Sequence, residues 1–170
     1  MSQQLSFKLH DSMRGWWAWE VYKMMRDNPD VYVVTGDLGF GMWDKVKEDF
    51  PYRFVNVGAA EVTMMCVAVG LAKRGRIPVV YSITSFATRR AYEPMFLYMN
   101  QENLHMIVAP AGEGDDYTHD GPSHWSFGTK QLMDTMPNIK QHYPETKEDI
   151  PAIAQEVFTN KAPHFISLRR

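Results

Sequence analysis

Short runs of β-branched and aromatic residues recur along the chain, and each is followed by a stretch long enough for a helix. VYVVTG (31–36), RFVNV (53–57), IPVVYSI (77–83), HMIVAP (105–110), residues 139–142 and HFISLR (164–169) read as strands. Apolar spacing between them predicts helices over 11–26, 42–49, 60–74, 86–100, 125–136 and 147–159. Asn28-Pro29-Asp30 breaks the first, Gly75 ends the one over 60–74, and Thr146 caps the last. Strands alternating with helices need crossover connections, which make the sheet mostly parallel and cover both its faces. The expectation is a three-layer α/β/α fold. At 170 residues it fits one domain.

Ligands of such sheets collect at the carboxyl ends of the strands. Asp37-Leu38, the turn Gly58 to Glu61 and the long polar loop 111–124 all fall there. Glu61 opens a helix whose next residues are Val62, Thr63, Met64 and Met65. An acid in a first turn helps the helix dipole by only ~0.3 to 1 kcal/mol. At the rim of an apolar cleft it can also share a proton with a ligand nitrogen. HDGPSHW (119–125) turns tightly at Gly-Pro, so Asp120 and His124 can face one point as an acid/base pair, with His119 beside them. The alternative is a polar turn that bonds its own amides. Phe86 opens the helix of SFATRRAYE, where it either stacks on a flat heterocycle or packs in the core.

Other chemistries are weakly supported. GDLGFG (36–41) is neither GxGxxG nor GxxxxGK[ST], and no GxSxG elbow occurs. The His and Asp residues of the 115–124 loop lack a strict ligand spacing, so no metal is expected on this chain. Cys66 is the single cysteine and reads as a buried small hydrophobe. A net charge of -2 argues against nucleic-acid or membrane-surface partners. With no continuous apolar leader or spanning run, the expected location is cytoplasmic. Twelve Met and 13% aromatic residues, many at helical spacing (Trp16, Met24, Met64, Met95, Met99), suggest helix faces covered by a partner subunit.

TGDLG (35–39), RFVNVGAAE (53–61), GLAKRGRIPVVYS (70–82), SFATRRAYE (85–93), DGPSH (120–124), MPNI (136–139) and the closing strand together resemble the pyrimidine-binding (Pyr) domain of transketolase-like thiamine diphosphate enzymes. The resemblance implies that Glu61 hydrogen-bonds N1′ of the cofactor's aminopyrimidine and that Phe86 stacks on that ring. Asp37, Leu38 and Arg89 would line the cofactor, Arg89 standing where many transketolases carry an aromatic residue. His124, Asp120 and His119 would contact substrate, and Arg170 falls where the family often holds a sugar phosphate. The usual early loop histidine is missing from APAGEGDDYTH, and Gly41 stands near a common phosphate-binding serine. These departures point away from standard pentose-phosphate substrates and leave a modified, non-phosphorylated or nucleotide-linked sugar, or a keto acid, open.

The family grips the cofactor diphosphate through Mg²⁺ with a GDG…N signature on a separate PP domain, and these 170 residues contain no GDG. The chain is therefore expected to be a Pyr domain over 1–170, without PP or C-terminal domains. It would pair with a separately encoded PP subunit as an α2β2 heterotetramer and transfer a two-carbon ketol unit between ketose and aldose. The rivals are 1-deoxyxylulose-phosphate-synthase-like or keto-acid decarboxylase chemistry, a non-catalytic assembly subunit of the same fold, and a flavodoxin-like binding module.

Overall fold

The computed structural model describes residues 10–170. Six strands form one sheet in the order β2-β1-β3-β4-β6-β5. They are β1 (Val31–Thr35), β2 (Phe54–Asn56), β3 (Ile77–Tyr81), β4 (Ile107–Val108), β5 (Lys140–His142) and β6 (His164–Ile166). Every neighbouring pair is parallel. Bridges from Ile83 to Ala111 and from Ala111 to Leu168 carry the pairing past the strands' carboxyl ends.

Successive strand residues point to opposite faces, and both faces are apolar. Val33, Val79, Ile107 and Ile166 face α1 (Met13–Asp27), α2 (Asp44–Asp49) and α6 (Ile150–Thr159). Val34, Val80, Val108 and Phe165 face α3 (Glu61–Lys73), α4 (Tyr92–Pro94) with its flanking turns, and α5 (Thr129–Asp134). Each fully buried apolar side chain contributes about 1.5 to 3 kcal/mol. The predicted three-layer α/β/α arrangement is therefore the observed one.

Local chemistry sets the boundaries. Ser12 caps α1 by accepting from the Gly15 amide at 3.1 Å. At its other end, the Arg53 guanidinium donates to the carbonyls of Met25 (2.7 Å) and Asn28 (2.9 Å), which the helix leaves without partners. The predicted helix over 86–100 is helical but irregular. Wide π-type turns, Phe86–Arg90 and Met95–Asn100, flank the short α4. Pro94 lacks an amide hydrogen and cannot continue the i→i−4 ladder, so the backbone widens around it. The predicted helix over 125–136 forms only from Thr129 to Asp134.

Two expectations are corrected. Cys66 is exposed rather than buried. Helix α3 is apolar on nearly every side, and the sheet takes the side carrying Met64, Met65 and Ala68, which turns Cys66 outward with Val62 and Thr63. The methionines thought to cover a partner surface are largely core: Met25, Met64, Met65, Met95 and Met99 are fully buried. Among the described residues, no helix is long and apolar enough to cross a membrane.

Candidate functional site

The sheet order places β2 and β3 on opposite sides of β1, so the chain reverses its direction of travel there and opens a crevice at the carboxyl ends. Gly36 sits at this point, and a Cβ on it would lie 3.4 Å from the Gly58 carbonyl oxygen and 3.5 Å from the Met64 sulfur. The loops after β1 and β2 and the start of α3 converge here at van der Waals distance. The next residue, Asp37, holds a left-handed backbone (φ 61°), unusual for a residue with a side chain. Asn56 secures it: its Oδ1 accepts from the amides of Asp37 (2.9 Å) and Gly58 (3.0 Å), and its Nδ2 donates to the Asp37 carboxylate (3.1 Å). One amide side chain thus ties the loop after β1 to the loop after β2. Leu38 is held by its carbonyl, which accepts from the Thr35 hydroxyl at 2.9 Å.

Glu61 begins α3 on the far side of that turn and is only 6% exposed. Its Oε1 accepts from the Arg90 guanidinium at 3.0 Å. That guanidinium also lies over the Phe86 ring, 3.7 Å from its centroid. His124 meets Phe86 edge-on at 4.7 Å. The predicted Glu61 and Phe86 therefore share one cradle, with His124 on Phe86's flank. Arg90 links the acid to the aromatic ring, whereas the sequence pattern around Glu61 had shown only apolar neighbours. Arg89 donates to the Phe127 carbonyl at 2.7 Å.

The 111–124 loop is docked on the same corner. The Ser85 hydroxyl donates to the Ser123 carbonyl at 2.8 Å, and Ser123 Oγ pairs with His124 Nδ1 at 3.0 Å. Gly121 (φ 82°) closes the short turn Thr118–Asp120, within which His119 Nε2 lies 3.2 Å from the Asp120 carboxylate. Arg170 joins this group: its amide donates to Asp116 at 3.0 Å, its guanidinium covers Tyr117, and Nη1 is 3.5 Å from His119 Nε2. Residues that lie 51 to 54 positions apart in the sequence thus meet on one polar shelf beside the cradle.

A family model described as the transketolase pyrimidine binding domain matches residues 12–170. The chain belongs to this family. Several relatives agree with the assignment. The chain is 28% identical over 126 residues to the 6-deoxy-6-sulfo-D-fructose transketolase subunit SqwH of Clostridium sp. (strain MSTE9), covering 74% of this chain and 39% of that one. It is 30% identical over 132 residues to the 1-deoxy-D-xylulose-5-phosphate synthase of Syntrophus aciditrophicus, covering 76% and 20%. Among solved structures, a split gene transketolase, described as an inactive beta4 tetramer, superposes with a TM-score of 0.82 at 27% identity, over 94% of this chain and 52% of that one. A Pichia stipitis transketolase shares the fold with a TM-score of 0.81 at 16% identity. The chain spans well under two thirds of the length of these relatives.

The cradle has the donors and faces that an aminopyrimidine needs. The Arg90 guanidinium, a flat N–H-bearing cation, makes both contacts in this structure: it stacks on Phe86 and donates to Glu61. A carboxylate has further acceptor positions for a ligand N–H. Ser82 Oγ and Thr84 Oγ1, at the end of β3, are buried without a hydrogen-bond partner among the described residues, which leaves polar capacity on the adjoining wall. A separate cavity of about 310 Å³ lies between the start of α1 and residues 39–42, lined by His10, Arg14 and Tyr81. It includes none of Glu61, Phe86 or His124, so the chemistry is better located by the cradle than by this cavity. The residues that sequence reasoning missed are Asn56 and Arg90. Asn56 had a readable signal, an amide closing a strand before Val-Gly. Arg90 had none beyond its neighbour Arg89.

Proposed function

We propose that this chain is the pyrimidine-side subunit of a two-component, thiamine-diphosphate-dependent transferase that moves a two-carbon ketol unit from a sugar-like ketose to an aldose. The observation that carries the reading is the buried Glu61 carboxylate paired with a planar cation stacked on Phe86. An aminopyrimidine would make the same two contacts. Thiamine diphosphate, when bound, supplies the electron sink for breaking a carbon–carbon bond beside a carbonyl. Glu61 holds a proton at the ring nitrogen, Phe86 orients the ring, and Asp37 and Leu38 close the crevice at the end of β1. His124 and Asp120 handle substrate protons and hydroxyls, assisted by His119, while Arg170 offers a cation for the far end of the substrate. A separately encoded PP subunit grips the diphosphate through Mg²⁺. That arrangement is supported by the lack of a GDG motif in these residues and by likeness to a transketolase subunit and a split gene transketolase.

Similarity to a 1-deoxy-D-xylulose-5-phosphate synthase favours a keto-acid donor as the second reading. Turnover of ketoses against pyruvate by the reconstituted complex separates the two. Glu61→Gln tests the shared claim. It keeps size and hydrogen bonding but cannot hand over a proton, so kcat is expected to fall at least 100-fold while the complex still assembles. Unchanged turnover would leave the chain an assembly subunit instead.

A further inference from the structure

Three of the six histidines lie together at the β4–β6–β5 edge of the sheet, remote in the strand order from the β1–β3 crevice. The register pairs Ile107 with His164 and Lys140 with His164, so His105, His164 and His142 all project toward the face covered by α6. His164 is fully buried, and its Nε2 lies 3.1 Å from the Asn160 carbonyl. A carbonyl only accepts, so Nε2 carries the hydrogen and Nδ1 presents a bare lone pair. That lone pair faces His142 Nε2 at 3.0 Å. Glu156, exposed on α6, completes the group: one ligand atom each from His142, Glu156 and His164 lies within 4.8 Å of the others.

We propose that His142, His164 and Glu156 bind a divalent transition-metal ion of the zinc type, which replaces the proton held between the two imidazoles. Two imidazole nitrogens and a carboxylate oxygen are a borderline donor set that suits zinc and not the harder Mg²⁺. Tetrahedral bonds of ~2.0 to 2.1 Å space the ligand atoms about 3.3 Å apart. The two nitrogens need to open by only a few tenths of an ångström from 3.0 Å, and the exposed Glu156 swings in. The buried His164 stays fixed, because the Asn160 carbonyl orients it as an outer-shell partner orients a metal-bound histidine. His105 is not a ligand. Its Nε2 is bonded to the Val157 carbonyl at 2.8 Å, and its ring packs against His164. The ion would staple the edge strand β5 and helix α6 to β6.

The test uses the whole chain stripped with a chelator and given Zn²⁺ alone. One Zn²⁺ per chain is expected by equilibrium dialysis. The melting temperature should rise roughly 5 to 10 °C at a hundredfold excess over Kd, and Mg²⁺ should give no rise. His142→Asn and Glu156→Gln, both at positions that are not fully buried, should each weaken binding at least tenfold. Co²⁺ in the unaltered chain should give the intense visible bands of a tetrahedral site, a readout that holds even if a variant fails to fold. Pale octahedral bands, no stoichiometric uptake, or affinity unchanged in both variants would overturn the site. So would binding lost through His119→Gln rather than through Glu156→Gln.

Discussion

Arg90 reaches Glu61 across 29 residues and stacks on Phe86 only four residues away. The pair is unequal, since the Arg90 side chain is 49% exposed and that of Glu61 only 6%. Solvent weakens the attraction, while the buried carboxylate still needs a donor. Arg90→Met is expected to cost about 1 to 2 kcal/mol and lower the melting temperature by about 2 to 6 °C. In a Glu61→Gln background the same change should cost clearly less, because no buried charge is stranded; equal costs in the two backgrounds would mean the residues do not interact. A second residue-scale prediction concerns pH. The Tyr22 hydroxyl donates to Asp49 at 2.7 Å, and this bond holds the Asp49 carboxyl below its ordinary range. A depressed acid adds stability that is complete above its unfolded pKa of about 3.9 and lost as pH falls through the lower folded value. Tyr22→Phe should therefore cost about 1 kcal/mol at pH 7, with the gap to the unaltered chain closing below about pH 4 in denaturant titrations. None of these pairings was legible beforehand, because a side chain's partner across 27 or 29 residues leaves no local pattern.

At the scale of elements, the strands were the most readable part. Val33-Val34, Val79-Val80 and Ile107-Val108 each send one residue to either face, and a run apolar on both faces signals a covered parallel sheet. Helix α3 shows the opposite case. Apolar on nearly all sides, it gave no preferred face, so the outward position of Cys66 could not be read from periodicity. The irregular backbone at 86–100 was signalled by Pro94 but obscured by the apolar spacing around it. The start of the last helix was legible as Thr146, and the structure adds the reciprocal half of its cap. The Asp149 carboxylate accepts from the amides of Glu145 (3.0 Å) and Thr146 (2.9 Å). Asp149→Ala should remove both bonds and cost about 1 kcal/mol, seen as a melting temperature lower by about 2 to 4 °C. No change would mean that water replaces the cap.

At the scale of the whole molecule, the fold brings the ends of β1, β2 and β3, the 111–124 loop and Arg170 to one rim. Glu61, Phe86 and His124 meet there, while His119, Asp120 and Arg170 form the adjoining shelf. This rim offers an acid, a stacking face and an adjoining shelf of polar groups. The central claim is that the chain forms half of a thiamine diphosphate site and needs another subunit to complete it. Calorimetric titration with thiamine diphosphate and Mg²⁺ tests this most directly, on the purified chain and on the chain assembled with a subunit carrying the GDG…N signature. The account predicts no measurable binding by the chain alone and micromolar or tighter binding by the assembly, weakened by Phe86→Ala. Micromolar binding by the chain alone would contradict it.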